Sequence, residues 1–308
     1  MLTKLDDFPV HSSPTPLTTM ATSDRNVYDR YWYNAHALDS SFYFGVGLCR
    51  YANLGIIDAS LSLAIDGKQY AFHASGRAPT EATETHVGPL SLHILEPMGR
   101  HRLVIEDNDT DISCDLTFTP KTAALEEARQ TLSDGRVTIM DATRLDQFGA
   151  WHGEIHYAGK TLVVDGATTF GLKDRSWGIR PVGDRYTGGA PLNNFTANHF
   201  MWLPIHWQHE CSLAGLFEDG EGYQWHTDQG FLPVYPSQDA IPGTVDPAAT
   251  MWQGIINYEV GLEPGTRRAT GGTYVMNHRN GESMQIDLEL TGLIHHMKGL
   301  GYQHPEWS

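Results

Sequence analysis

Residues 171–180 read Gly-Leu-Lys-Asp-Arg-Ser-Trp-Gly-Ile-Arg, which crowds an acid, two arginines, a hydroxyl and an indole between strand-like segments. A carboxyl flanked by Arg175 is held ionised by the neighbouring charge, whereas one turned into an apolar pocket beside Trp177 keeps its proton and can donate it. Asp174 is therefore a candidate general acid, and equally a candidate structural ion-pair partner of Arg175 or Arg180. The sequence leaves both readings open.

An acid catalyst of this kind needs walls that tolerate a cation and groups that place water. Trp151, Trp177, Tyr186, Trp202 and Trp207 offer ring faces that attract positive charge, with about 2 kcal/mol per ring available in a dry pocket, and Arg175 stands among them as a further substrate contact. His152 and His206 are the candidates for positioning water. In residues 199–210 (His-Phe-Met-Trp-Leu-Pro-Ile-His-Trp-Gln-His-Glu) strand alternation separates 199, 201 and 203 from 200 and 202. Pro204 is expected to reset the phase, so that His206, Gln208 and Glu210 share one face and Trp207 and His209 the other.

Other chemistries fit less well. A metal would draw on His199, His206, His209 and Glu210, but alternation parts His206 from His209, and neither HExxH nor a cysteine-containing ligand pattern occurs, so no metal is expected. For any one of the 16 histidines, His101, His295 and His296 included, an ordinary lining or loop role is the better expectation. Ser176 lacks the flanking glycines of a nucleophile elbow. Gly45-Val46-Gly47 lacks the third glycine and the following helix of a dinucleotide loop, and no phosphate loop is present, so no cofactor is expected.

The elements that must carry these residues are strands. Residues 60–65 alternate Leu61, Leu63 and Ile65 and turn at Asp66-Gly67 into 68–73, with Tyr70 and Phe72. The same pattern recurs at 153–157, Ala158-Gly159 and 160–164; at 211–217, Asp219-Gly220 and 223–225; and at 272–277, Asn280-Gly281 and 284–290. Helical periodicity is nearly absent, with 122–132 alone suggesting a short helix or a loop crossing. An all-β fold of two consecutive antiparallel barrels or sandwiches follows. The expected division is an N-terminal arm over 1–24, a first β unit over 25–187 and a second over 188–308.

Bulk composition narrows the partners. Lys plus Arg is 21 against 37 for Asp plus Glu, a formal net charge of -16 without a basic run, which argues against nucleic acid and anionic membrane. Cys49, Cys114 and Cys211 are far apart and odd in number, as packed reduced thiols are, and a cytoplasmic compartment is expected. Residues 1–21 resemble neither a signal peptide nor a membrane span. The chain is compatible with a homo-oligomer.

Tyr43-Phe44-Gly45, the run 58–63, Gln147-Phe148-Gly149-Ala150-Trp151 and above all Lys173-Asp174-Arg175-Ser176-Trp177-Gly178-Ile179-Arg180 resemble the hydroxyneurosporene synthase or carotenoid 1,2-hydratase group and its AttH-like relatives. That superfamily also takes in tocopherol-cyclase-like, kievitone-hydratase-like and Diels–Alderase-like proteins. The resemblance implies two consecutive lipocalin-like β units, an apolar pocket in or between them, and a family acid that falls on Asp174. The chain departs from the hydratase pattern at Leu172, where an aromatic residue is usual, and at Ser176, where an asparagine is common.

The expected activity is that of a lyase or isomerase of the hydratase type on an apolar alkene or alcohol, terpenoid, steroid or polyketide-like. Asp174 is the acid, the aromatic residues are walls, and His152 or His206 holds water. Two alternatives stand beside it: a non-catalytic carrier of an apolar small molecule, and a cyclase that works by shaping its substrate.

Overall fold

The computed structural model describes residues 2–181, 199–277 and 281–297. Thirteen strands form the first sheet: β1 (Val27–Ala37), β2 (Phe42–Tyr51), β3 (Ile56–Ile65), β4 (Lys68–Arg77), β5 (His86–Val87), β6 (Leu90–Ile94), β7 (His101–Ile105), β8 (Ile112–Pro120), β9 (Leu125–Glu126), β10 (Gln130–Ser133), β11 (Thr138–Tyr157), β12 (Lys160–Val164) and β13 (Thr169–Ile179). A second sheet holds β14 (His199–His206), β15 (Glu210–Glu218), β16 (Gln224–Pro233) and β17 (Thr250–Trp252). A third holds β18 (Asn257–Leu262), β19 (Ala269–Asn277) and β20 (Ser283–Glu289). Every pairing is antiparallel, and all four hairpins expected from the turn residues are present. At Asp66-Gly67 both φ angles are positive (54° and 68°), the backbone that matches the twist of paired strands.

The first sheet runs β4-β3-β2-β1-β13-β11-β8-β7-β6-β5 and rolls until its ends meet, with Val87 of β5 against Gly76 of β4. Rolling hides both edges and encloses an apolar interior. Trp151 sits at the centre, its ring 5.4 Å from Tyr33, 5.5 Å from Phe44 and 5.4 Å from Phe118 in edge-on contacts. The second and third sheets share their own core, which includes Leu216, Phe231, Tyr274 and Ile286. A third cluster joins the units, placing Leu125, Phe148 and Leu172 of the barrel against Cys211, Leu213 and Leu232. The approach is close enough that a Cβ on Gly230 would lie 2.6 Å from Leu125.

One local alternative is decided and one expectation changes. Residues 122–132 take the crossing rather than the helix: β9 and β10 pair with β11. The Ala124 N–H reaches Thr244 O, and the Glu127 N–H reaches Arg144 O. Those long-range partners satisfy the backbone that a helix would have satisfied locally. Nor does Pro204 reset the phase of β14, whose register with β15 continues unbroken from His199↔Glu218 to His206↔Cys211. β14 is an edge strand, so proline's missing N–H can face away from its partner.

The three cysteines are buried and unpaired. Among the described residues no helix is long and apolar enough to cross a membrane. The expected unit boundary at 187/188 lies outside the described residues.

Candidate active site

β13 stands between β1 and β11, and strand alternation divides its central motif between two faces. Leu172, Asp174 and Ser176 face the second unit, alongside Arg30 and Trp32 of β1 and Arg144, Asp146 and Phe148 of β11. Lys173, Arg175 and Trp177 face the barrel side, with Tyr31, Tyr33 and Gln147. The cross-strand partners Trp32↔Asp174↔Asp146 and Tyr33↔Lys173↔Gln147 place one row on each face.

On the seam between the units, Asp174 is 3 % exposed. Its Oδ2 accepts from Arg30 Nη2 at 3.3 Å, and its Oδ1 lies 3.5 Å from Arg144 Nε. The expected partners lie elsewhere: Arg175 pairs with Asp29 and stacks 4.0 Å above Tyr31, and Arg180 lies over Tyr28 at 4.8 Å. Alternation turns Arg175 away from Asp174, so adjacency in sequence becomes opposition across the sheet.

Asp146 is fully buried, receives no hydrogen bond from any donor group among the described residues, and lies against the Glu127 carboxyl. Burial, reinforced by the charges of Glu127 and Asp174, drives its pKa well above the ordinary range and so favours the protonated acid. Glu127 is likewise pushed up by burial, opposed by the Arg144 guanidinium. The second unit adds His226 and Asp228. Donor atoms of Glu127, His226 and Asp228 lie within 4.8 Å of one another, a spacing able to hold an ion. Each already has a partner in the protein: His226 Nε2 donates to Asp228 at 2.5 Å, the Ala128 N–H donates to Asp228 at 2.9 Å, and Gln130 and Arg144 donate to Glu127 at 3.2 and 3.3 Å.

Farther along the seam His206 packs among Phe148, Phe170 and His36, with ring centroids 5.1, 5.4 and 5.7 Å away. Burial, with His36 and Lys121 nearby, lowers its pKa to about 3, so the imidazole is neutral. Trp202 shares this face of β14 and packs on the inter-unit cluster, its indole N–H without an acceptor. His206 and Trp202 therefore lie on the seam with Asp174.

The other expected site residues are dispersed. Trp151 is wholly inside the barrel, donating to Asn34 O at 3.1 Å, and the sheet separates it from Asp174. His152 lines an open hollow of about 790 Å³ on the barrel's flank with Arg102, Asp115 and Glu154. Trp177 is 40 % exposed at the rim of the barrel side. Trp207 is also exposed, its N–H donating to Ser212 at 2.8 Å. Tyr186 lies outside the described residues. Reading from sequence missed Arg30, Glu127, Arg144, Asp146, His226 and Asp228, which no local motif joins. Asp146 does have a signal, since it sits two residues before Phe148 on the same strand face.

On the barrel side Lys173 is 2 % exposed, and burial with the Arg175 charge lowers its pKa to about 7. The Tyr33 hydroxyl and His101 Nδ1 share a hydrogen bond of 2.5 Å, and burial lowers the His101 pKa to about 3.

A rolled antiparallel barrel followed by smaller sheets is an all-β, lipocalin-like fold. The chain belongs to DUF8625, a family of unknown function whose model matches residues 2–308. No curated protein matches it in sequence. Among solved structures it is similar to an AttH-like protein of Nitrosomonas europaea, at 14 % identity and a TM-score of 0.55, over 87 % of this chain and 82 % of that one. It is also similar to CghA, at 13 % identity and a TM-score of 0.51, over 86 % and 76 % of the two chains. Kievitone hydratase of Nectria haematococca matches at 13 % identity and a TM-score of 0.46, over 83 % and 76 %. The first two likenesses show the fold.

Proposed function

We propose that the protein is an acid–base enzyme of the lyase or isomerase class that adds, removes or relocates the elements of water on an apolar alkene or alcohol at the seam, with Asp146 as proton donor. The observation carrying this reading is the contrast between two facing carboxyls. Asp174 is ion-paired to Arg30 and Arg144, while Asp146 is buried against the Glu127 carboxyl, without a cationic hydrogen-bond donor, and held toward its acid form. An ion pair on one acid and burial on its neighbour assign stabiliser and donor.

Protonating an alkene creates a carbocation, and Trp32, buried on the same face, can stabilise it. Asp174 contributes the fixed negative charge. The Ser176 hydroxyl, buried and unpartnered, is available to hold the water that captures the cation. The packed cluster of Phe148, Leu172 and Trp202 makes the surroundings of the two acids apolar, which favours an apolar substrate. His206, a neutral imidazole, is a second candidate for placing water.

The test begins with organic extraction of freshly purified protein and mass-spectrometric identification of the bound molecule, which is expected to be apolar. That compound is then assayed with wild type and Asp146→Asn. General acid catalysis is worth roughly 10²–10⁴-fold, so the variant is expected to lose that much turnover while staying folded. Turnover by Asp146→Asn at the wild-type rate would remove Asp146 from the mechanism. A bound molecule that neither protein converts would identify a carrier.

A further inference from the structure

β13 carries Lys173 to the barrel side of the sheet, where Tyr33 and Gln147 are its cross-strand partners. A lysine this deeply buried ordinarily has a carboxylate beside it. Among the described residues no carboxylate lies within ion-pair distance of its nitrogen. The groups in its surroundings are Tyr31 and Tyr33 from β1, Gln147 from β11, His101 from β7 and Arg175 on its own strand. None of these is a carboxylic acid; Arg175 is a second cation, and the Asp29 carboxylate on β1 is its partner rather than that of Lys173. Burial beside another cation is what converts a lysine into a neutral amine near pH 7, and its pKa is lowered to about 7 accordingly.

Two further polar atoms here are buried without partners, His101 Nε2 and Gln147 Oε1. Such orphans are costly, and a ligand group that completes them offsets that cost. Access is graded along the strand. Trp177 is 40 % exposed, Arg175 is half-buried and Lys173 is buried, so the amine is the innermost group of this row. Behind it, Tyr33, Phe118 and Trp151 are already packed ring to ring, which limits the depth available.

The geometry points to Lys173 as a nucleophilic amine that condenses with the carbonyl group of a small aldehyde or ketone, forming a covalent site on the opposite face of the sheet from the seam. The Nζ lone pair attacks the carbonyl carbon, and an N–H proton passes to the oxygen to give a carbinolamine. The C–O bond then breaks, the oxygen leaves as water with the second N–H proton, and a carbon–nitrogen double bond remains. One carbonyl compound and one amine give one imine and one water, with no change in oxidation state. The Tyr33 hydroxyl and the His101 imidazole, hydrogen-bonded to each other, are the proton-transferring pair in the cluster.

The experiment uses the full chain with butanal as probe and sodium cyanoborohydride to trap the imine at pH 7, followed by digestion and mass-spectrometric mapping. Lys173 is expected to be alkylated at least roughly tenfold faster than Lys4, Lys68 and Lys160, with a rate that half-rises near pH 7, because the fraction of neutral amine at that pH favours it. Alkylation spread over the surface lysines, with Lys173 untouched in protein that remains folded by circular dichroism, would overturn the proposal. In Lys173→Arg the fast phase is expected to vanish; its persistence would also overturn the assignment. If that variant folds poorly, the wild-type map decides alone.

Discussion

Asp146 and Asp174 are direct cross-strand partners on β11 and β13, with side chains on the same buried face, and among the described residues only Asp174 forms an ion pair. Two like charges so placed repel. The molecule resolves the conflict by surrounding one carboxyl with guanidinium groups and favouring the neutral form of the other. This asymmetry makes the two residues separable by experiment.

Replacing Asp174 by Asn leaves Arg30 without its carboxylate in a buried site and weakens the surroundings of Arg144. The expected loss is about 3–5 kcal/mol. Asp146→Asn keeps the shape of a protonated acid and should cost no more than about 1 kcal/mol. Urea unfolding of both variants at pH 7 measures the difference, and the reverse order would show that Asp146 is the charged member.

His206 carries a pH dependence of known sign. Its pKa falls from an ordinary 6.5 to about 3 in the fold. The stability it contributes is therefore complete above pH 6.5 and is lost as pH drops toward 3, because the unfolded chain takes up the proton first. At pH 4.5 the loss from this group is about 2–3 kcal/mol. His206→Gln should show a correspondingly smaller drop in stability between pH 7 and pH 4.5 than wild type. Equal drops would place the imidazole in contact with water.

Lys173 follows the same sign in a higher pH window. With its pKa lowered from 10.5 to about 7, its contribution to stability is complete only above pH 10.5 and falls as pH declines toward 7. Lys173→Met should therefore unfold at higher temperature than wild type at pH 7, by an amount equivalent to about 2–4 kcal/mol. A less stable Met variant at that pH would mean that the ammonium is satisfied in the fold.

Two tryptophans expected as pocket walls should behave differently. Trp151→Ala empties the centre of the barrel and should cost about 3–5 kcal/mol. Trp177→Ala acts at a half-open rim and should stay within about 1 kcal/mol. Thermal melts of the pair would decide this, and equal losses would contradict the placement of Trp151 as the core ring.

Much of the fold is legible in local chemistry. Asp66-Gly67 and Ala158-Gly159 specify tight turns because their left-handed backbone is built into the hairpin itself, and the flanking alternation specifies which side is buried. The importance of residues 171–180 was legible in the same way. Its correct partition was available in principle, since period-two alternation separates Lys173 and Arg175 from Asp174.

What the sequence by itself determined about this protein is the strands, their turns and the central charged motif, all properties of neighbours along the chain. Only the tertiary structure decided that Arg30 and Arg144, rather than Arg175 or Arg180, hold Asp174. It likewise brought Glu127, Asp146, His226 and Asp228 to one seam and left Lys173 without a carboxylate partner among the described residues. The physical reason is that a side chain's charge state follows from burial and from partners far away in sequence, and sheet closure and the docking of one sheet on another set both.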